Sequence, residues 1–186
     1  MPYKNTFKFK DDSILTLKNI KVFRSGSEET FCFTSSLYYN NKLLATISNH
    51  GHGGSNNESI TNHTLFEQIE KRLIEEHPKY LCEWDNVYRS MSLETWINEA
   101  INESEIYKDY IKDIRSKVIF IDDKNKLQFI GFKKCRIISD IHLDYVKEKY
   151  KNSKILNTLP KEEAFKLFYS HVMGENIEAI KELSNQ

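Results

Sequence analysis

The sequence predicts an α+β fold, in which a mainly antiparallel sheet from the amino-terminal strands plus a later hairpin packs against several helices. Three observations carry this expectation. From Phe7 to Ser48, aromatic and β-branched residues recur with period two, as strands with one buried face require. From Thr64 onward the apolar spacing becomes helical. Val118–Ile121, apolar on both faces, returns to the character of an inner strand. With 186 residues, the chain is long enough to bury a core without staples. We read it as a single domain over 1–186, with a core over 1–135 and a helical carboxy-terminal extension over 136–186.

The elements follow in order. A first strand is expected at about Tyr3–Lys10, and Asp11-Asp12-Ser13 turns it into a second beginning near Ile14. The apolar phase changes there from Leu15 and Leu17 to Ile20 and Val22, which predicts a β-bulge near Lys18-Asn19. Arg24-Ser25-Gly26-Ser27 connects to a strand over Thr30–Tyr39, with Phe31, Phe33, Leu37 and Tyr39 on one face. Asn40-Asn41 tolerates positive φ and forms a tight hairpin turn into Lys42–Ser48. Thr64-Leu65-Phe66-Glu67 has capping-box spacing, so a helix starting there, lined by Leu65, Ile69 and Leu73, should stop at His77-Pro78. A loop holding Cys82, Trp84 and Tyr88 leads to Ser92, the cap of a long helix. Its inward stripe is Leu93, Trp96, Ile97, Ala100, Ile101 and Ile111, and its charged remainder faces water. Val118–Ile121 and Leu127–Phe132, joined by the turn Asp122–Asn125, are expected to extend or cover the first sheet. Ile141–Tyr150, Lys161–Val172 and Glu175–Leu183 read as short helices, with Pro160 near the first turn of the middle one.

Lys plus Arg and Asp plus Glu balance at 27 each, so no net field draws the chain to nucleic acid or an anionic membrane. The lysines are scattered among acidic neighbours and give no strong nucleic-acid signal. No stretch approaches the roughly 20 apolar residues of a membrane span, and the amino terminus lacks an apolar leader; the expected location is the cytoplasm. Cys32, Cys82 and Cys135 lie far apart and read as reduced thiols. The sequence leaves open whether the chain forms a homo-oligomer.

One segment concentrates unusual residues. Ser48-Asn49-His50-Gly51-His52-Gly53-Gly54-Ser55-Asn56-Asn57 holds three of the six glycines and two of the six histidines. Glycines let successive amides converge on a ligand, and polar side chains beside them give hydrogen bonds. Read as a connection from a strand to the capped helix near Thr64, the loop would also stand near free helix amides that favour anions. Phosphate or nucleotide recognition follows, with Asn49, Gly51, His52, Gly53, Gly54, Ser55 and Asn56 as contacts and Arg24 as a source of charge. A surface loop with solvated histidines is the plain alternative. Metal binding by His50-x-His52 with His63 or Glu58 lacks any supporting motif, so neither metal nor cofactor is expected. For acid–base catalysis His52 is the candidate, without an identified partner. Glu28-Glu29 reads as a solvated strand entrance, and Trp84, Tyr88 and Trp96 as core before base-stacking residues.

Lys18-Asn19-Ile20, Ser27-Glu28-Glu29-Thr30-Phe31-Cys32-Phe33, Leu37-Tyr38 and Ser48–Asn56 together resemble a family of small, mostly uncharacterised proteins of phages and bacteria. That family combines a Ser-Glu-Glu-Thr-x-Cys-Phe strand with an Asn-Asp-Gly-His-Gly-Gly loop. His50 stands where the pattern has Asp. The resemblance covers the amino-terminal third well and Leu93–Phe132 loosely. It implies a phage or prophage setting, and small phage accessory proteins counter host defence by sequestering nucleotide signals, cleaving them or binding a defence protein. The leading expectation is therefore a non-enzymatic binding protein for a phosphorylated or nucleotide ligand. A nucleotide-cleaving, phosphodiesterase-like enzyme using His52 is the second, and a protein-binding inhibitor presenting Phe165, Phe168 and Tyr169 from Asp140–Gln186 the third.

Overall fold

The computed structural model describes residues 5–82, 87–133 and 135–174. Tyr3 and Lys4 of the expected first strand, Trp84, and the helix expected over Glu175–Leu183 lie outside the described residues. The chain divides between Ser104 and Glu105 into two compact units, and one long helix, α2 (Leu93–Ser116), contributes residues to both.

The amino-terminal unit holds a five-stranded antiparallel meander: β1 (Thr6–Lys8), β2 (Ile14–Val22), β3 (Cys32–Tyr39), β4 (Lys42–His50) and β5 (Asn57–Ile60), side by side in chain order. The expected bulge is present: the register shifts between Lys18 and Lys21, with Asn19 at φ 55°. Its effect is to keep Ile20 and Val22 packed against the core that Leu15 and Leu17 enter. Asn40 and Asn41 turn the β3–β4 hairpin at φ 46° and 62°. A second shift between Leu37 and Tyr38 leaves Leu44 as an extra residue on β4 and buries it beside Ala45.

Helix α1 (His63–Glu76) lays Phe66, Ile69 and Leu73 into this core, where they meet Trp96, Ile97, Ala100 and Ile101 from α2. Its cap differs from expectation. Asn62 accepts the Leu65 amide at 3.0 Å, so the cap lies two residues ahead of Thr64. Asn is as good a cap as Thr, and here the backbone at Asn62 is already extended. His77 ends the helix as expected, and Ser92 accepts the Thr95 amide at the start of α2. Where a loop was expected, Tyr80–Cys82 (β6) and Val87–Arg89 (β7) pair as antiparallel strands.

One polar cluster fastens α1 to the turn between β1 and β2. Arg72 donates to Asp11 (2.9 Å), Glu76 (3.0 Å) and the Tyr39 hydroxyl (3.1 Å), with its guanidinium 4.3 Å from the Phe9 ring centre. The hydrogen bond from Arg72 holds the Asp11 carboxyl well below the usual carboxylate range.

In the carboxy-terminal unit, β8 (Lys117–Ile121) is the inner strand that its apolar faces predicted. The later hairpin was expected to extend or cover the first sheet, and it does not extend it. β8 pairs with β9 (Leu127–Gly131) on one side and β10 (Lys154–Ile155) on the other, making a sheet of its own. A strand buried on both faces needs hydrogen-bond partners on both edges, and β10 supplies the second. Helix α3 (Asp140–Lys149) contributes Val146 to this core. Helix α4 (Lys161–Val172), with Pro160 at its cap, buries Phe165 and Phe168 against Tyr110 at ring-centre distances of 5.5 and 5.0 Å. The last member of the predicted stripe in α2 is displaced by one residue, since Tyr110 is buried and Ile111 only half-buried. Nor does every charge on that helix face water: Glu103 and Glu105 are buried, and Glu105 accepts from Lys108 at 2.6 Å.

Candidate functional site

The glycine-rich segment is a hairpin loop, not a strand-to-helix connection. β5 returns alongside β4, pairing Asn57 with Ser48 and Ile60 with Ala45. The helix amides expected near the loop are therefore not its neighbours in sequence, and the helix cap is Asn62. The missing sign in the sequence is physical: Asn57-Glu58-Ser59-Ile60 is an exposed edge strand with almost no apolar face to announce it.

Gly51, Gly53 and Gly54 have φ of 88°, 85° and 86°, which explains their residue type. Gly51 is buried, and a Cβ there would run into the Gly26 carbonyl. Its own carbonyl accepts the amides of Glu28 (2.9 Å), Glu29 (3.0 Å) and Thr30 (3.3 Å). Three consecutive amides converge as an anion nest would, and the loop's own oxygen fills it. This is why β3 begins at Cys32 and not at Thr30. The Gly51 amide donates to Asn49 Oδ1 (2.9 Å) and the Gly53 amide to Thr30 Oγ1 (3.3 Å). Two of the three glycine amides expected to meet a ligand are thus engaged within the protein.

Asn49 organises the loop. It sits near the end of β4, 5 % exposed, with all four of its hydrogen-bonding positions used. Oδ1 accepts from the Gly51 amide and the Thr30 hydroxyl (2.9 Å each), while Nδ2 donates to the Gly54 carbonyl (3.2 Å) and Asn56 Oδ1 (3.1 Å). Asn56 in turn reaches the first turns of α2: its amide donates to Glu94 Oε1 (2.9 Å) and its Nδ2 to Asn98 Oδ1 (3.1 Å).

Beside this network lies a cavity of ≈ 210 Å³ lined by Thr30, Phe31, Phe33, Asn49, Asn98 and Ile101. Phe31 and Phe33 alternate along the chain onto one side, and Asn49 stands opposite Phe33 in the β3–β4 register. Apolar walls with a few fixed polar groups are the usual composition of a small-molecule site. In the carboxy-terminal unit, a separate cavity of ≈ 320 Å³ is lined chiefly by charged residues, among them Asp122, Glu148 and Lys151.

His52 points elsewhere. Its Nδ1 lies 3.0 Å from Glu28 Oε2, and both side chains are about two-thirds exposed, at 65 % and 68 %. Glu28 is the partner that sequence reasoning did not find. Glu58 on β5 is exposed as a residue, yet partial desolvation of its carboxyl, and after it the charges of Glu70 and Glu94, raise it above the ordinary glutamate value. Among the described residues no group of three or more His, Cys, Asp or Glu is arranged to hold a metal ion.

Of the residues expected at the site, Asn49, Gly51, Gly53, Gly54 and Asn56 are joined in one network. Ser55 is exposed on the loop, and Arg24 is exposed in the turn Arg24–Gly26, outside the cavity lining. Thr30, Phe31, Phe33, Asn98 and Ile101 are additions; the phenylalanines and Ile101 read as core, and Asn98 as one more polar residue on a helix. Buried Phe165 and Phe168 are not available as anchors for a partner, while Tyr169 is half-buried.

Protein-family models, curated proteins and solved structures give no match to the chain. No helix among the described residues is long and apolar enough to cross a membrane.

Proposed function

We propose that this chain is a small-ligand-binding protein of nucleotide type, and that the ligand enters the cavity between Thr30–Phe33, Asn49 and Asn98. The observation that carries the reading is the pairing of a half-open apolar cavity with a polar loop whose groups are wired to one another. Such a loop is ordered before binding, so little entropy is lost when a ligand arrives. The glycines act as shaping residues for Asn49 and Asn56, and not as the ligand's principal donors. The motif resemblance adds a setting, a phage counter-defence factor that sequesters a nucleotide immune signal in the host cytoplasm. Incubating the purified protein with cyclic dinucleotides and ADP-ribose derivatives, followed by heat release and analysis of the ligand, tests it. Recovery of unaltered ligand is the expected result; retention of none refutes the proposal.

A second reading, cleavage of such a ligand, is favoured by one observation. Glu28 orients His52 as a carboxylate orients a histidine base, and both groups are open to solvent. Altered ligand after heat release, lost in His52→Ala and in Glu28→Gln, would establish it. Unchanged turnover in His52→Ala removes it.

A further inference from the structure

We infer that the cavity receives the uncharged, planar ring of its ligand, a nucleobase-type heterocycle, with a hydrogen-bond acceptor of that ring held by the side-chain amide of Asn98. The inference rests on the small-ligand reading and specifies which part of the ligand is bound.

The direction of the amide chain is its first support. Carbonyl oxygen and nitrogen of an asparagine are told apart by their partners, and here one backbone group decides the whole series. The Gly51 amide can only donate, so the Asn49 atom facing it is Oδ1. Nδ2 of Asn49 then faces Asn56, whose facing atom must be Oδ1. By the same step Nδ2 of Asn56 meets Oδ1 of Asn98. Asn98 ends the chain with its Nδ2 turned away from Asn56 and without a partner among the described residues. Each donor in such a series is strengthened by the one behind it, so the terminal amide is a competent donor on a residue that lines the cavity.

The second support is size and charge. A cavity of ≈ 210 Å³ lies between the roughly 150 Å³ that accommodates benzene and the roughly 300 Å³ at which sites for drug-sized ligands begin. It suits one ring or a fused pair, not a whole nucleotide. None of the six lining residues is charged, and the Gly51 and Gly53 amides are engaged elsewhere. A phosphate there would be desolvated without a counter-charge. Phe31 and Phe33 instead offer ring faces and edges against which a planar heterocycle packs favourably.

Calorimetric titration with adenine, guanine, cytosine and uracil, their nucleosides, their monophosphates and inorganic phosphate separates the possibilities. At least one free base or nucleoside should bind within about tenfold of its monophosphate, with inorganic phosphate not competing. Asn98→Asp retains the acceptor for Asn56 and removes the terminal donor; it should weaken the base by about tenfold or more without moving the protein's thermal midpoint, because Asn98 is an exposed residue. If only phosphate-bearing members bind and inorganic phosphate displaces them, the ring assignment is wrong while the small-ligand reading stands. Base affinity unchanged in Asn98→Asp overturns the role of Asn98. No binding by any member overturns both.

Discussion

Replacing Gly51 by alanine should be among the most damaging single-atom additions in the amino-terminal unit. At φ 88° the residue sits where an L side chain is strained, which costs about 1–2 kcal/mol. The added Cβ also meets backbone: it would overlap the Gly26 carbonyl and lie 2.9 Å from Cys32 Cβ, so either the Arg24–Gly26 turn or the start of β3 must shift. Overpacking of this kind costs about 1–3 kcal/mol. The shift also disturbs the Gly51 carbonyl that collects three amides, which puts the total at roughly 2–5 kcal/mol. Gly54→Ala is the control, because its φ is 86° and a Cβ there meets nothing within 4 Å. It should lose only the strain of about 1–2 kcal/mol. Urea denaturation followed by circular dichroism reads the difference as a midpoint lowered by about 1–2 M for Gly51→Ala at an ordinary slope. Equal midpoints for the two variants would show that the Gly51–Gly26 contact does not shape the loop.

Asn49→Asp keeps both acceptor bonds but turns two buried donors into acceptors facing the Gly54 carbonyl and Asn56 Oδ1; a loss of roughly 2–4 kcal/mol is expected by the same denaturation, and a loss below about 0.5 kcal/mol contradicts its role as organiser. Acid should destabilise the fold through Asp11, Glu76 and Asp122, whose folded-state values lie below their unfolded ones, mainly through hydrogen bonds from Arg72, the Lys10 amide and the Lys126 amide respectively. Their contribution is present at neutral pH and lost as pH falls from about 4 through the lowered values. Glu58, raised by burial, has the opposite sign: its contribution is present below the ordinary glutamate value and lost as pH rises through the raised one. Thermal midpoints from pH 6 to pH 2 should therefore fall less steeply in Arg72→Met than in the parent, because Asp11 then titrates near its ordinary value; parallel profiles would contradict the Arg72 cluster.

Much of the fold was legible because local chemistry and tertiary packing agree. The change of phase after Leu17 required a bulge, and Asn19 supplies it; Asn40-Asn41 required a turn of positive φ; His77-Pro78 required a helix stop. The errors lie where local sequence carries no apolar signal. β5 is exposed, so its pairing with β4 rests on backbone hydrogen bonds that leave no periodicity. The sheet of β8, β9 and β10 was missed because β10 contributes only Lys154 and Ile155. At the loop, composition singled out the glycines as ligand donors, and the structure engages two of their three amides within the protein. The Gly51 and Gly53 amides expected to bind a ligand bind Asn49 and Thr30, a closure that depends on residues nineteen or more positions away along the chain, just before β3 and in α2. His52, expected as a ligand contact, faces Glu28 instead of the cavity lining.

A ligand that enters the proposed cavity beside the loop must touch its lining. Amide and side-chain NMR shifts recorded while titrating the nucleotide that survives heat release test it most directly. The largest changes should fall on Thr30, Phe31, Phe33, Asn49, Ile101 and the Asn98 side-chain amide. Shifts confined to His52, Gly54 and Ser55, or to residues beyond Glu105, would contradict it.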